Sequence, residues 1–472
     1  MDYELIILLS YTVVSVGMII TVLLDNRQPV KTLAWIMVLV FLPIVGIALY
    51  FFFGQNTRKE RVISRKQLDK LTKRSLTEYG RQKNLQIPYE HNKLISLFST
   101  QNLAMPYKDN ETEIFTDGYQ MFLALLQSIG KARHHIHLET YIFDDDELGR
   151  LIADALVDKA RQGVEVRVVY DDVGCWRVHD AFFRRISRGG VDIRAFLPVH
   201  FPLFTSKVNY RNHRKICIID GCEGFVGGMN IANRYVKGEK DRPWRDTHVR
   251  LRGPAVYGLQ QVFLTDWYFI TRKLLSSHEY YPAIPFRIHN DGLTQIVTSS
   301  PVNAWPDIML GYVRILSKAK KYVYIESPYF LPTEPVLFAM QSTALSGVDV
   351  RLMIPRRTDS FFINWASRTY LGNVISAGVK VFLYEKGFNH SKLLVSDDSL
   401  ATIGSTNVDF RSFENNMEVN AFFYDTEMAH RVKQVFEEDL KHCFLLNDHA
   451  THRRHFFVRL WESLVRLLSP LL

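Results

Sequence analysis

The chain has 472 residues, 47% of them hydrophobic and 23% charged, so a large core can form. Gly (25) and Pro (17) are too few for a collagen-like or globally disordered chain, and four cysteines exclude a disulfide scaffold. The net charge of +9, from 58 Lys+Arg against 49 Asp+Glu, points to an anionic partner, nucleic acid or an acidic membrane surface, without choosing between them.

Two uncharged apolar runs open the chain, residues 5–24 and 33–54, joined by a polar turn over 25–30. Each is long enough to cross a hydrocarbon core of about 30 Å as a helix. The pattern predicts a transmembrane hairpin over residues 1–56, with Trp35 and Tyr50 as interface anchors. A basic juxtamembrane linker follows over 57–95. It carries Arg58, Lys59, Arg61, Arg65, Lys66, Lys70, Lys73 and Arg74 against Glu60 and Asp69. The positive-inside rule then places both termini in the cytoplasm, and the cluster suits anionic lipid headgroups.

The remainder is written twice. GKARHHIHLETYIF (130–143) matches SKAKKYVYIESPYF (317–330), QGVEVRVVYDD (162–172) matches SGVDVRLMIPRR (346–357), and GGVDIRAF (189–196) matches AGVKVFLY (377–384). Strands over 136–143 and 164–170 flank an amphipathic helix over 148–161. The expected fold is therefore α/β: two βαβ-rich halves, 96–290 and 291–448, with mixed, largely parallel sheets paired about a pseudo-twofold axis.

A chemical motif follows the third strand of each half. His213, Lys215, Asp220, Gly227, Gly228 and Asn230 recur as His390, Lys392, Asp397, Gly404, Ser405 and Asn407, with the shared spacing H-x-K-x4-D-x6-G-[GS]-x-N. Strand alternation puts each His and its Lys on one face. If the halves pair, two imidazoles, two ammonium groups and two amides converge on one pocket. Such a pocket suits a phosphodiester. Cations, Asn230, Asn407 and the Gly228 and Ser405 turns hold its oxygens, while one imidazole attacks phosphorus and the other protonates the leaving oxygen. A nucleophilic imidazole needs its other nitrogen held by an acceptor. Asp246, 33 residues after His213, and Glu418, 28 residues after His390, are the candidates, one in each half.

Asp220 and Asp397 are either catalytic or turn-forming. Glu139 and Glu326, matched acids amid apolar strand residues, are expected behind the pocket, against a Lys or His or within a structural network. His134, His135 and His137 lack a converging Cys or carboxylate and read as strand surface and core rather than a metal site. No P-loop or GxSxG motif is present. No metal or other cofactor is called for, because Lys215 and Lys392 supply the positive charge.

These residues resemble the phospholipase D superfamily, whose hallmark is this duplicated HKD motif. The two hydrophobic N-terminal segments, and LAWIMVLVFLPIVGIALYFFFG in particular, extend the resemblance over essentially the whole chain to the bacterial cardiolipin synthases of that superfamily. The resemblance implies a multi-pass protein of the bacterial inner membrane. It implies transfer of a phosphatidyl group from one phosphatidylglycerol to another, releasing glycerol, through a phosphatidyl-histidine. It also implies His213 as nucleophile and His390 as acid, then base, with the roles open to reversal by near-symmetry. A phospholipase D that hydrolyses the same intermediate to phosphatidic acid is the alternative. A nuclease on the same scaffold is disfavoured by the hairpin. Two further segments fit a lipid substrate: the apolar loop His200-Phe201-Pro202-Leu203-Phe204 and a basic amphipathic helix over 449–472.

Overall fold

The computed structural model describes residues 3–24, 29–50, 54, 65–82, 85–199, 209–239, 242–285, 288–446, 461, 462 and 465. The apolar loop at 200–204, Arg58, Lys59 and Arg61 of the basic cluster, and most of the C-terminal segment lie outside these residues. The chain divides into two units, Met1–Arg61 with Val199–Tyr210, and Val62–Pro198 with Arg211–Leu472.

The first unit contains helices α1 (Tyr3–Leu24), α2 (Pro29–Phe41) and α3 (Pro43–Leu49). The second apolar run is not one continuous helix. Pro43 has no N–H to donate, Leu42 leaves helical backbone at φ −130°, and Pro43 then opens α3. Gly46 lies so close to α2 that a Cβ would stand 2.7 Å from the Val38 carbonyl oxygen. Trp35 and Tyr50 accordingly meet edge to face, ring centres 5.4 Å apart, instead of marking opposite ends of a span. Val22, Leu39 and Tyr50 are buried in this unit, while Val13, Val14, Ile20, Leu33, Val40 and Ile44 are exposed. Among the described residues no helix is long and apolar enough to cross a membrane.

The second unit is built on two sheets of matching order. In the first, strands β1 (Glu111–Phe115), β2 (His135–Thr140), β3 (Glu165–Asp171), β4 (Asp192–Phe196), β5 (Ile216–Ile219), β6 (Glu223–Gly227) and β7 (His248–Arg252) lie in the order β1-β7-β6-β5-β2-β3-β4. In the second, β8 (Leu293–Ser299), β9 (Tyr322–Glu326), β10 (Asp349–Pro355), β11 (Lys380–Tyr384), β12 (Leu393–Ser396), β13 (Leu400–Gly404) and β14 (Asn416–Tyr424) lie in the order β8-β14-β13-β12-β9-β10-β11. The repeated sequence blocks thus become repeated topology.

The sheets are mixed, but they are not largely parallel. In the first half β2–β3 and β3–β4 are parallel, and the other four pairings are antiparallel. Connection length decides this. The helix Glu147–Arg161 gives the crossover a parallel pair needs, whereas β5 and β6 are joined by three residues. Asp220 (φ 50°) and Gly221 (φ 66°) in that link take left-handed backbone, the conformation of a tight hairpin turn.

Strand alternation distributes the core. Ile216 and Ile218 face a cluster shared by the two halves, and Cys217 and Ile219 face the outer core of the first half. Leu393 and Val395 face the shared cluster from the other side. Helices Val256–Thr271 and Thr426–Leu440 fill the space between the sheets. Residues expected in the linker and the first half join the second instead. Leu94, Ile95 and Phe98 of helix Asn92–Asn102 lie in its outer core, and Pro106–Tyr107 pairs with β8.

Candidate active site

Two short backbone exchanges build the site. Arg211–Asn212, leading into the first motif, runs parallel to Asn416–Met417 of the second half. Phe388–Asn389, leading into the second, runs parallel to Trp244–Arg245 of the first. The His213 N–H donates to the Met417 carbonyl (2.9 Å) and the His390 N–H to that of Arg245 (2.6 Å).

The residue after each of those carbonyls is an acid. His213 Nδ1 lies 3.0 and 3.1 Å from the two carboxylate oxygens of Glu418. His390 Nδ1 lies 2.6 Å from Asp246 Oδ2. The acids are therefore crossed. Each half's acid holds the histidine of the other half, not the one that precedes it in sequence. With Nδ1 occupied, Nε2 is the nitrogen left for chemistry on each ring.

Both histidines line one cavity of about 280 Å³, with Asn230, Asn407, Tyr141, Tyr235, Trp244, Tyr329, Asp359 and Asp409. Lys215 and Lys392 do not line it. Buried behind the imidazoles, each folds back to donate to the carbonyl of its own histidine, Lys215 at 2.5 Å, and Lys392 Nζ also stands 2.9 Å from His390 Nδ1. The wall cations are Arg211, Arg234 and Arg411, which the motif alone did not indicate. A signal existed: Arg234 and Arg411 each stand four residues after the Asn of their motif, and Arg211 two before His213.

Gly228 and Ser405, expected at the phosphate, pack against the two carboxylates and do not line the cavity. Their backbone N–H groups donate to Thr247 O and Val419 O, both at 2.9 Å. A Cβ on Gly228 would stand 2.0 Å from Asp246 Oδ1, and Ser405 Oγ donates to Glu418 Oε2. Asn230 does line the cavity, braced by the Ile142 N–H (3.2 Å) and Tyr235 OH (2.6 Å).

Asp220 and Asp397 resolve as turn formers, because the four-residue strand that follows each Lys carries them to its far end. Asp220 accepts from the backbone N–H groups of Arg133, His134 and His135, and Asp397 from those of Lys320, Lys321 and Tyr322, all within 3.0 Å. They clamp the start of β2 and β9. Glu139 and Glu326 contact neither Lys nor His directly through a hydrogen bond. Glu139 accepts from Asn212 and Glu326 from Asn389 (3.1 Å). Those asparagines accept from the N–H of Arg214 (3.1 Å) and Ser391 (2.9 Å), which fixes the turn at each motif histidine. His135 and His137 are buried and paired through Gln260, at 3.1 and 2.8 Å. Among the described residues no group of His, Cys, Asp and Glu is arranged to hold a metal ion.

Burial sets the charge states. It pushes His390 down to about 3, aided by Lys392, and also pulls His213 down. Burial alone would raise Asp246 and Glu418, but the adjacent lysines and the hydrogen bonds with the imidazoles outweigh it and hold both carboxylates below their ordinary range. Near neutral pH the site thus holds two neutral rings beside two carboxylates.

Burial also pulls Lys215 to about 7 and Lys392 to about 8. Their charge is lost as pH rises through those values, so kcat/KM is expected to fall along an alkaline limb between pH 7 and 8. Unfolding does not account for that fall. The unfolded chain keeps these protons to its ordinary lysine range, so over this window the two lysines make stability rise with pH. A pH profile of kcat/KM that stays flat to pH 9.5 would contradict this assignment.

The second unit is thus a duplicated mixed sheet with a two-histidine cavity between its halves. A family model described as "Cardiolipin synthase, PLD-like domain" matches residues 125–267 and 312–440, and "Phospholipase_D-nuclease N-terminal" matches 13–55. Cardiolipin synthase 2 of Bacillus cereus is 40% identical over 457 residues, 96% of this chain and 88% of that protein. The cardiolipin synthase of Listeria innocua is 39% identical over 485 residues, 100% and 99% respectively. Among solved structures, phosphatidylserine synthase of Haemophilus influenzae shares the fold, with a TM-score of 0.61 at 14% identity, covering 81% of this chain and 100% of that one. The chain belongs to the PLD-like cardiolipin synthase family of the phospholipase D superfamily.

Proposed function

We propose that the protein is a cardiolipin synthase, a phosphatidyltransferase that joins two phosphatidylglycerols and releases glycerol. The observation that carries the mechanism is the crossed pair: two imidazoles on one cavity, each with Nδ1 held by the other half's carboxylate. His213 Nε2 attacks phosphorus, a P–N bond forms, and the P–O bond to glycerol breaks. His390 gives its Nε2 proton to the departing oxygen. The second phosphatidylglycerol then loses a hydroxyl proton to His390, its oxygen attacks phosphorus, and the P–N bond breaks. One phosphodiester replaces another, so the energy of the bond is conserved without a nucleotide. Lys215 and Lys392 hold positive potential behind the rings, while Asn230, Asn407 and the wall arginines face the phosphate oxygens.

The N-terminal unit acts as the bilayer anchor. Its exposed apolar side chains and its match to the family's N-terminal model support that reading, and the basic residues after it favour an inner-membrane protein with both termini cytoplasmic. A cysteine placed at Asn26 is then labelled by an impermeant reagent added outside; labelling only after lysis would overturn the two-pass topology.

Incubating detergent-purified enzyme with phosphatidylglycerol alone is expected to give cardiolipin and glycerol in equal amounts. Phosphatidic acid with no cardiolipin would make the protein a hydrolase.

A further inference from the structure

The two ends of the cavity are not alike, although the motifs that form it are. Two residues before His213 stands Arg211, and two before His390 stands Phe388. Two residues before Glu418 stands Asn416, and two before Asp246 stands Trp244. Three residues after Glu139 stands Ile142, and three after Glu326 stands Tyr329. At each pair the His390 end carries the aromatic residue. Trp244, Phe388, Tyr235 and Tyr329 surround the His390 ring at centroid distances of 5.5, 5.6, 6.0 and 6.4 Å. Near His213 the corresponding ring contact is Tyr141, at 5.1 Å.

The aromatic end also carries a carboxylate and a cation. Asp359 lines the cavity at its exposed rim and accepts a hydrogen bond from Tyr329 OH at 2.7 Å. The Arg234 guanidinium lies 5.4 Å from the Trp244 ring centre. An aromatic face packs against the C–H surface of a small polyol, a carboxylate accepts from its hydroxyls, and an arginine pairs with an attached phosphate.

We propose that the Trp244–Tyr329–Asp359 end of the cavity is the glycerol subsite, occupied first by the leaving glycerol and then by the headgroup of the acceptor lipid, whose own phosphate pairs with Arg234. This deepens the proposed phosphatidyl transfer and rests on it. Both occupants present a primary hydroxyl oxygen to the same imidazole, because expulsion and attack follow one path in opposite directions. The ligand sits at the His390 end, so His390 is the acid and base and His213 the nucleophile. The pseudo-twofold ambiguity is thereby broken by the walls and not by the motifs. A headgroup stacked on Trp244 also displaces water from the face on which the phosphatidyl-histidine is open to attack.

Exchange of labelled free glycerol into phosphatidylglycerol, measured with the full-length enzyme in detergent, tests the subsite without requiring a second lipid. Asp359→Asn is expected to raise the KM for glycerol about 10- to 100-fold, the loss of a hydrogen bond to a charged group, by more than it lowers kcat. Asp359→Glu should recover part of this, and Tyr329→Phe should show a smaller rise. With phosphatidylglycerol alone, Asp359→Asn should also shift product from cardiolipin toward phosphatidic acid. An unchanged KM for glycerol together with an unchanged product ratio in Asp359→Asn would overturn the subsite. A wild-type enzyme that exchanges glycerol but makes no cardiolipin would instead refute the synthase reading, while the effect of Asp359 on glycerol KM could still be read.

Discussion

His390→Ala is expected to lose turnover of phosphatidylglycerol by about 10⁴-fold or more, yet to react once with a phosphatidyl ester of a good leaving group such as p-nitrophenol. Such a leaving group departs without a proton, so the acid is dispensable in the first step. The phosphatidyl group then stays on the enzyme, because no base remains to activate the acceptor. A burst of one equivalent of nitrophenol, followed by a stall, is the expected trace. His213→Ala is expected to show neither burst nor turnover, since the atom that attacks phosphorus is gone. Both rings are anchored at Nδ1 and by backbone hydrogen bonds to the opposite half, so the two variants share one structural environment and differ in chemistry. A burst in His213→Ala and none in His390→Ala would reverse the roles. Substantial phosphatidylglycerol turnover in either variant would remove the two-histidine mechanism.

Changing the crossed carboxylates should reproduce this division in milder form. Asp246→Asn is expected to lower kcat on the order of 10³–10⁴-fold and to retain the burst with the activated ester, because Asp246 holds His390. Glu418→Gln is expected to lower kcat by a similar order and to slow the burst itself, because Glu418 holds His213. An amide can present its NH₂ to Nδ1, which favours the wrong tautomer and takes the free electron pair away from Nε2. The burst is the discriminating readout. If each acid acted on the histidine of its own half, Asp246→Asn would lose the burst and Glu418→Gln would keep it. A merely structural role for either acid would lower the amount of folded enzyme without separating burst from turnover.

Much of this protein is legible from residue order, and the unread part has a common physical cause. Alternation within a strand is local, so His213 with Lys215 and His390 with Lys392 are placed on matching faces from sequence alone. The repeat is also read directly, because matching blocks fold to matching strand orders. What local reading misses is which neighbour lies across the interface. Asp246 and Glu418 are found as acids, but their crossing depends on Arg211–Asn212 and Phe388–Asn389 pairing with strands of the other half. Asp220 and Asp397 look catalytic by motif. Four strand residues then carry them to the opposite end of the sheet, where three backbone N–H groups occupy each carboxylate. Gly228 reads as a phosphate loop, yet its missing side chain is the room in which Asp246 sits. In the N-terminal unit, hydropathy counts Leu33 to Gly54 as one run. It does not register that Pro43 ends one helix and begins another, bringing Trp35 onto Tyr50.

The central claim is a phosphatidyl group held on His213 between two half-reactions that share one cavity. Rapid acid-free quenching of His390→Ala after mixing with the activated phosphatidyl ester, followed by peptide mapping, tests it most directly. The predicted result is one phosphatidyl adduct per enzyme, joined through an acid-labile P–N bond to the peptide that contains His213. An adduct on any other residue, or nitrophenol release with no adduct at all, would contradict it.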